Sequence, residues 1–430
     1  MIHFVFFINQ NQTGCLFMSF SDLQIHDFLL KTLDEAGYDS PTSVQSKVIP
    51  KILSGFDLRV SAPTGTGKTA AFLLPAITKI LNASPSKDKG RGPRVLILVP
   101  TRELAIQVAS QAEKYSRGLR HMKTVCIYGG VSYNIQNRDL MRPHEIIVAT
   151  PGRFIDHLER GRISLGRLEM FILDEGDRML DMGFSEPVQQ IADAIPSKHQ
   201  TMLFSATLKG NVMALSNKLL TNPLEINVNV DVDKGEKIAQ HLHYVDDINH
   251  KQKILDHILQ DQSIDQAIIF TSTKRQADKL ADNLMDRDYS VAALHGDMSQ
   301  RQRTNTITQL RKGRLHILVA TDVAARGIDV KTISHVINFD LPTNTEDYVH
   351  RIGRTGRAGA EGIAFSFATT GERSLVRAIE KFTGKTMTCD VIPGLEPTGK
   401  VSGFSGRNRR RPQRNQRNFT PRNNQRSRSA

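Results

Sequence analysis

MFILDEGD, residues Met170 to Asp177, decides the fold. Met170, Phe171, Ile172 and Leu173 form an unbroken apolar run, which suits a strand covered on both faces and hence a parallel sheet with helices on each side. Asp174 and Glu175 then emerge at the carboxyl end of that strand, where open α/β sheets bind ligands. Adjacent carboxylates there suit a metal-nucleotide site. Upstream, Ala62 to Thr69 reads APTGTGKT, placed between an apolar segment (LRVSA, from Leu58) and a helical pattern (TAAFLLPAITKIL). Strand, glycine loop and helix in that order hold phosphate oxygens on backbone N–H groups and on the helix's positive end. Gly65 and Gly67 leave room for the phosphate, Lys68 reaches the outer phosphates, and the Thr69 hydroxyl joins a magnesium shell. Ala62 stands where the general pattern has its first glycine.

The same alternation continues outward in both directions. RVLILVP, KTVCIYGG and HEIIVATPGR read as strands that end in polar turns at Pro100-Thr101-Arg102, Gly129-Gly130 and Thr150-Pro151-Gly152-Arg153. Turns at the carboxyl ends of neighbouring parallel strands lie on one edge, and together they suit a sugar-phosphate backbone. HQTMLFSAT is a further buried strand ending in Ser205-Ala206-Thr207, which either hydrogen-bonds the carboxylates of the neighbouring strand end through its hydroxyls or is only a turn. Before the first core strand, residues 19–50 suggest two short amphipathic helices, with Gly37 stopping the first and Pro41-Thr42 opening the second. Periodicity is lost near Val230 to Lys237, which predicts an interdomain linker. A second α/β series follows without a phosphate loop, and in its place carries His350-Arg351-Ile352-Gly353-Arg354-Thr355-Gly356-Arg357. A duplicated fold that keeps nucleotide chemistry in one half is the economical reading. The fold class is therefore α/β with parallel sheets in two tandem domains: 18–229 with the glycine loop, 230–237 for the linker and 238–395 for the second domain.

Composition narrows the function classes. A chain of 430 residues with 39% hydrophobic and 23% charged residues has no apolar run near the roughly 20 residues that span a bilayer. Cys15, Cys126 and Cys389 form no CxxC pair, which argues against a zinc site or a disulfide framework and fits a reducing cytoplasm. The first residues, MIHFVFFINQ, lack the basic start and cleavage site of a signal peptide, and Met18 looks the more natural start, so 1–17 are expected to be a dispensable or non-native extension. Net charge is +13, but residues 401–430 hold nine arginines and no acid, leaving 48 Lys+Arg against 44 Asp+Glu in the rest. Residues 396–430 are predicted to be a disordered basic tail that attracts nucleic acid phosphates.

These motifs, in order from Phe20 to about Thr388, resemble the DEAD-box family of ATP-dependent RNA helicases, and within its bacterial branch the SrmB group, with the RhlE group as rival. The resemblance implies ATP and RNA bound across a cleft between two RecA-like domains. It implies that Phe20 stacks on adenine and Gln45 reads its edge, although Ser43-Val44 stands where the family commonly has Pro-Ile. It places Gly65, Thr66, Gly67, Lys68 and Thr69 on the phosphates, Thr69 and Asp174 on Mg²⁺, and Glu175 on the attacking water. Arg354 and Arg357 become arginine fingers, with Gly327 and Asp329 touching the nucleotide. RNA contacts fall on Arg102, Gly130, Thr150 and Arg153, then Thr271, Gly296, Arg303 and Thr321. Asp177, Ser205, Thr207 and His350 couple the two sites.

The expected activity is RNA-stimulated ATP hydrolysis driving local separation of short duplexes, with little sequence preference. The SrmB likeness implies structured ribosomal RNA, pre-ribosomal particles and their proteins as partners of a monomer that does not enter membranes. An RhlE-like protein would be a more general remodeller. An ATP-gated RNA clamp uses the same motifs without displacement. A DNA helicase shares the glycine loop and acids but is disfavoured by Gln45 and by the TPGR and HRIGRTGR forms. One residue departs from the family's namesake motif, since Gly176 replaces its alanine, and a looser acid loop with ATPase retained is the expected result.

Overall fold

The computed structural model describes residues 18–63, 65–83, 92–196, 198–208, 210–228, 238–261, 263–325, 328, 330, 332–356 and 361–398. The expected extension at 1–17, the linker at 230–237 and the tail beyond 398 lie outside the described residues.

The first half opens with a short 3-10 helix, Phe20–Leu23, then α1 (Asp27–Glu35) and α2 (Ser43–Leu53). Core elements follow as β1 (Leu58–Ser61), α3 (Lys68–Asn82), β2 (Val95–Leu98), α4 (Arg102–Tyr115), β3 (Thr124–Ile127), α5 (Tyr133–Leu140), β4 (Ile146–Ala149) and α6 (Pro151–Glu159). After these come β5 (Met170–Leu173), α7 (Gly176–Asp181), α8 (Ser185–Asp193), β6 (Gln200–Ser205), α9 (Asn211–Leu219) and β7 (Leu224–Asn227). The second half contains β8 (Ile238–Val245), α10 (Ile248–Leu259), β9 (Ala267–Phe270), α11 (Lys274–Met285), β10 (Val291–Leu294), α12 (Gln300–Arg311) and β11 (Ile317–Ala320). It ends with α13 (Asp322–Ala325), β12 (His335–Asn338), α14 (Thr345–Ile352), β13 (Gly362–Thr369), α15 (Arg373–Thr383) and β14 (Thr388–Cys389).

The strands form two seven-stranded sheets, ordered β3-β4-β2-β5-β6-β1-β7 and β10-β11-β9-β12-β13-β8-β14. Counted from the start of each half the two orders are the same, and every pairing is parallel. This repeats one topology twice, as the duplicated motif order requires. Along β2, Val95 and Ile97 join one buried cluster while Leu96 and Leu98 join another on the opposite face. Both faces exclude water, so the strand reads as a continuous apolar run with no polar alternation. β14 has only two residues, too few to produce a pattern, and it closes an edge that the sequence left open.

Local chemistry sets the entry to the first sheet. Thr42 caps α2 and exchanges hydrogen bonds with Gln45, while Gly37 takes φ +73° at the end of α1 as the sequence required. No helix among the described residues is long and apolar enough to cross a membrane.

Candidate nucleotide and RNA site

The carboxyl ends of β5, β6 and β1 are neighbours, and they bring the glycine loop, the acids and Ser205 together. Gly67 caps α3 with φ +92°. A Cβ there would stand 2.5 Å from Gln45 Nε2, so glycine is required by close approach as well as by backbone conformation. Gln45 Nε2 donates to Gly67 O (3.2 Å) while its Oε1 accepts from Thr42 N (3.0 Å), which ties the helix preceding the sheet to the phosphate loop. Lys68 is buried at the first position of α3 and its Nζ donates to Ala62 O (2.8 Å).

Asp174 is 3% exposed, and burial pushes its carboxyl up to about 7; Lys68 pulls it down, and Glu175 and Asp177 push it up. Glu175 adopts left-handed backbone (φ +53°), which costs a non-glycine residue about 1 kcal/mol or more and turns the chain sharply into α7. A buried carboxylate crowded by two like charges suits a divalent cation, and Thr69, the second residue of α3, is the other residue that would hold it.

The hydroxyl network differs from expectation in its atoms. Asp177 Oδ2 accepts from the backbone N–H groups of Ala206 (3.1 Å) and Thr207 (3.2 Å), and Ser205 Oγ accepts from Asp177 N (3.3 Å). Amides, not hydroxyls, therefore bind the carboxylate, because the turn after β6 points its N–H groups inward. Phe20 is buried at 6% exposure and meets Tyr38 edge-on (6.5 Å between centroids), leaving little ring face open for the expected stacking on adenine.

A second edge is built by β3, β4 and β2. Arg102 lies over the turn at Gly129-Gly130, where a Cβ on Gly130 would stand 2.5 Å from Arg102 Nη1 and φ is +84°. Thr150 precedes α6, and Arg153 Nη1 donates to Val131 O (2.9 Å) and Gln136 Oε1 (3.2 Å). Burial, then the charges of Arg303 and Arg153, press the Arg102 guanidinium below its usual range. Three guanidinium groups thus converge on one corner. In the second sheet β10, β11 and β9 occupy the matching places, with Gly296, Thr321 and Thr271 following them.

The halves meet through charged pairs. Arg303 on α12 donates to Glu103 of α4 through Nε (2.9 Å) and Nη2 (2.7 Å), and Arg102 Nη1 donates to Gln300 Oε1 (3.3 Å). Arg178 of α7 pairs with Asp347 of α14 beside a crevice also lined by His350, Arg351 and Arg354. Arg354 donates to His350 O (3.1 Å) and Ile328 O (2.8 Å).

Comparison with known proteins gives this architecture its family. A DEAD/DEAH box helicase profile matches residues 42–215 and a helicase conserved C-terminal domain matches 250–359. The ATP-dependent RNA helicase DeaD of Mycobacterium tuberculosis is 44% identical over 389 residues, covering 90% of this chain and 68% of that protein. SrmB of Haemophilus influenzae, also an ATP-dependent RNA helicase, is 40% identical over 382 residues, covering 89% and 86%. The chain belongs to the DEAD-box ATP-dependent RNA helicases. Among solved structures, S. cerevisiae Dbp5 bound to RNA and ADP BeF3 matches with TM-score 0.78 at 31% identity, over 86% of this chain and 95% of that one. Mss116p bound to ssRNA and AMP-PNP matches with TM-score 0.79 at 29% identity, over 89% and 82%.

As a DEAD-box protein, the chain is an RNA-stimulated ATPase and RNA helicase that uses ATP and binds RNA. Within it, Arg303, expected as an RNA contact, is 6% exposed and donates to Glu103, His295 O and Ala324 O. Sequence reasoning missed its acid, Glu103, along with Gln300 and the Arg178–Asp347 pair. A signal existed, since Gln300 and Arg303 are three apart on one helix face and Glu103 immediately follows Arg102. Arg351 also differs from its neighbours in the basic run, holding Asp322 with two bonds (2.6 and 2.7 Å) inside the second half. Gly327, Asp329 and Arg357 lie outside the described residues.

Proposed function

We propose that this helicase separates short RNA duplexes locally, one closure of the two halves per ATP, and that structured precursor ribosomal RNA is its substrate. The observation that carries the reading is the split of charged machinery between halves: the acids and lysine follow the first sheet, Arg354 belongs to the second, and Glu103–Arg303 and Arg178–Asp347 hold the two together. Lys68 and the loop N–H groups hold the phosphates, Glu175 orients and deprotonates the attacking water, and Arg354 and Arg357 stabilise charge on the transferring group. Magnesium, held by Thr69 and Asp174, supplies neutralisation of phosphate charge. Phosphoryl transfer to water needs positioning and charge more than covalent help, so turnover waits on the arginines.

Arg102, Gly130, Thr150 and Arg153, with Thr271, Gly296 and Thr321 opposite, take the RNA backbone, which explains low sequence preference. RNA drives closure only by binding the closed form better than the open one. Asp177, Ser205, Thr207, His350 and, by its placement, Arg303 couple the two sites. The protein acts as a monomer in the cytoplasm on pre-ribosomal particles; likeness to SrmB at 40% identity supports the comparison with that group.

Strand displacement on a short RNA duplex tests the activity: ATP-dependent release of one strand is expected, and ATP-dependent binding without release would leave only a clamp. Crosslinking to RNA in cells tests the substrate, with enrichment of messenger over precursor ribosomal RNA counting against it.

A further inference from the structure

Tyr133, the first residue of α5, follows the Gly129-Gly130 turn by three residues and is flanked by two guanidinium groups. The Arg153 carbon is 4.1 Å from its ring centroid and the Arg160 carbon 4.3 Å. The Tyr133 hydroxyl donates to Asp156 Oδ2 (2.7 Å), which fixes the ring against α6. Arg153 is held from several sides, by Val131 O, by Gln136 Oε1 and by Asp156 at 3.6 Å.

Arg160 is held differently. It is exposed just past the end of α6, and it makes no ion pair with a carboxylate among the described residues; its recorded contact is the tyrosine face. An exposed arginine ordinarily spreads over many rotamers, and lying on an aromatic ring gives this one a preferred place. The nearest acid on its own helix face, Asp156, is already engaged by Tyr133 and Arg153.

The surrounding charge agrees. His157 is buried 5.4 Å from the Tyr133 ring, and its imidazolium is disfavoured first by burial and then by Arg153, with Arg160 and Arg162 adding to the same effect against Asp156. Three arginines therefore load one corner with positive charge, next to the edge that carries Gly130, Thr150 and Arg153.

We propose that Arg160, laid on Tyr133 beside Arg153, is a further contact for an RNA phosphate, and that Tyr133 is the platform that positions both guanidinium groups. The ligand is the sugar-phosphate backbone of a single strand, because a planar fork of N–H donors suits a phosphate and nothing at this corner reads a base edge. The inference rests on the reading of this edge as the RNA surface. It adds one phosphate to the track beyond Arg153.

The test uses the full chain, a fluorescent single-stranded oligouridylate and a non-hydrolysable ATP analogue, with affinity measured across a range of salt. Each phosphate contact contributes about 0.7 to the slope of log K against log salt for single strands. Arg160→Ala is expected to make the slope shallower by about that amount, which is roughly a 5-fold loss of affinity at 0.1 M salt. Tyr133→Phe keeps the ring and is expected to bind nearly as the parent does, whereas Tyr133→Leu frees Arg160 while Val131 O, Gln136 and Asp156 still hold Arg153, and is expected to fall between the parent and Arg160→Ala. In RNA-stimulated ATPase assays, Arg160→Ala raises the half-saturating RNA concentration by more than it lowers kcat. Arg153→Ala serves to separate the two readings, with thermal melting confirming that each variant folds. If Arg153→Ala flattens the salt slope and Arg160→Ala does not, the inference fails while the RNA edge stands. If neither changes it, the RNA reading of this edge fails and takes the inference with it.

Discussion

The two halves share one strand order and differ in what they do with a lysine and an aspartate. Lys68 in the first turn of α3 and Asp174 after β5 have counterparts in Lys251, in the first turn of α10, and Asp340, after β12. In the second half the pair has closed, since Lys251 Nζ donates to Asp340 Oδ1 and Phe339 O, both at 2.7 Å, and Asp340 Oδ2 accepts from Ser272 N. Where the first half has a glycine loop, the second has Asp246 and Asp247, with Asp247 Oδ1 capping α10 through His250 N (2.8 Å). One scaffold thus carries an anion-receptive turn in one copy and an anion-repelling cap in the other. What decides nucleotide chemistry is the turn after the first strand, not the sheet.

Exchanging the two lysines breaks this comparison most sharply. Lys68→Ala is expected to lower ATP turnover by about 10²-fold or more, the usual loss when one preorganised charge is removed from a transition state, and to change thermal stability little. Lys251→Ala leaves the half-buried Asp340 without its cation and is expected to cost about 1–3 kcal/mol of stability while RNA-stimulated turnover persists at temperatures where the protein stays folded. ATPase assays and thermal melts on both variants check the pair of outcomes. Turnover lost equally in both would mean that the second lysine also serves the nucleotide.

Next in size is the contact between halves. Glu103 and Arg303 are each 7% exposed at the side chain, so removing one partner strands a buried charge. Arg303→Ala is expected to raise the RNA concentration needed for half-maximal ATPase by about 10-fold and to reduce the closed population, read by energy transfer between dyes on the two halves. A charge swap, Glu103→Arg with Arg303→Glu, is expected to recover part of both. If Arg303 instead contacts RNA directly, the swap will recover nothing.

Sequence carried the fold almost whole because doubly buried strands announce themselves as apolar runs, and MFIL, VLIL and ILVA each became a four-residue strand. The phosphate loop was equally legible, since its glycines answer to local backbone demands at Gly65 and Gly67. What sequence reading could not supply was partnership across the cleft. Arg303 read as an RNA contact, and only α4 placed Glu103 against it, two hundred positions away in the chain. The same limit hid Lys251 and Asp340, which carry no motif and become a pair only when β12 and α10 are brought together.

Acid is expected to bear on the two halves differently. Each contains two buried histidines whose pKa lies below the usual range, with burial the first cause: His144 and His157 in one, His243 and His335 in the other. The folded state refuses protons that the unfolded chain accepts, so stability is lost as pH falls through about 6.5, the ordinary histidine value. Asp174 works the other way in the first half alone, because its carboxyl, raised to about 7, takes up a proton in the folded, nucleotide-free protein before the unfolded chain does; hydrogen exchange followed from pH 7.5 to 5.5 should therefore show the second sheet losing protection and the first losing less. His157→Gln and His335→Gln each flatten the loss in their own half. Equal loss in both halves would show that Asp174 does not take up a proton in this window.

The smallest effect concerns the acid loop itself. Gly176 opens α7 beside the left-handed Glu175, and its own φ is one that alanine adopts freely. A Cβ there would meet Leu203 at 3.4 to 3.5 Å, a contact distance that asks little of its neighbours. Glycine at this position therefore gives up about 0.5–1 kcal/mol of helix propensity and the burial of one methyl without a steric reason. Gly176→Ala is expected to raise the melting temperature by about 2–4 °C, with RNA-stimulated turnover kept or modestly raised as Asp174 and Glu175 are held more firmly. The second half offers the control, because Asp340 is already fixed by Lys251 and has no glycine after it. Should Gly176→Ala change neither melting temperature nor turnover, the acid loop is as rigid with glycine as with alanine, and the difference between an open site and a closed one rests on the lysines alone.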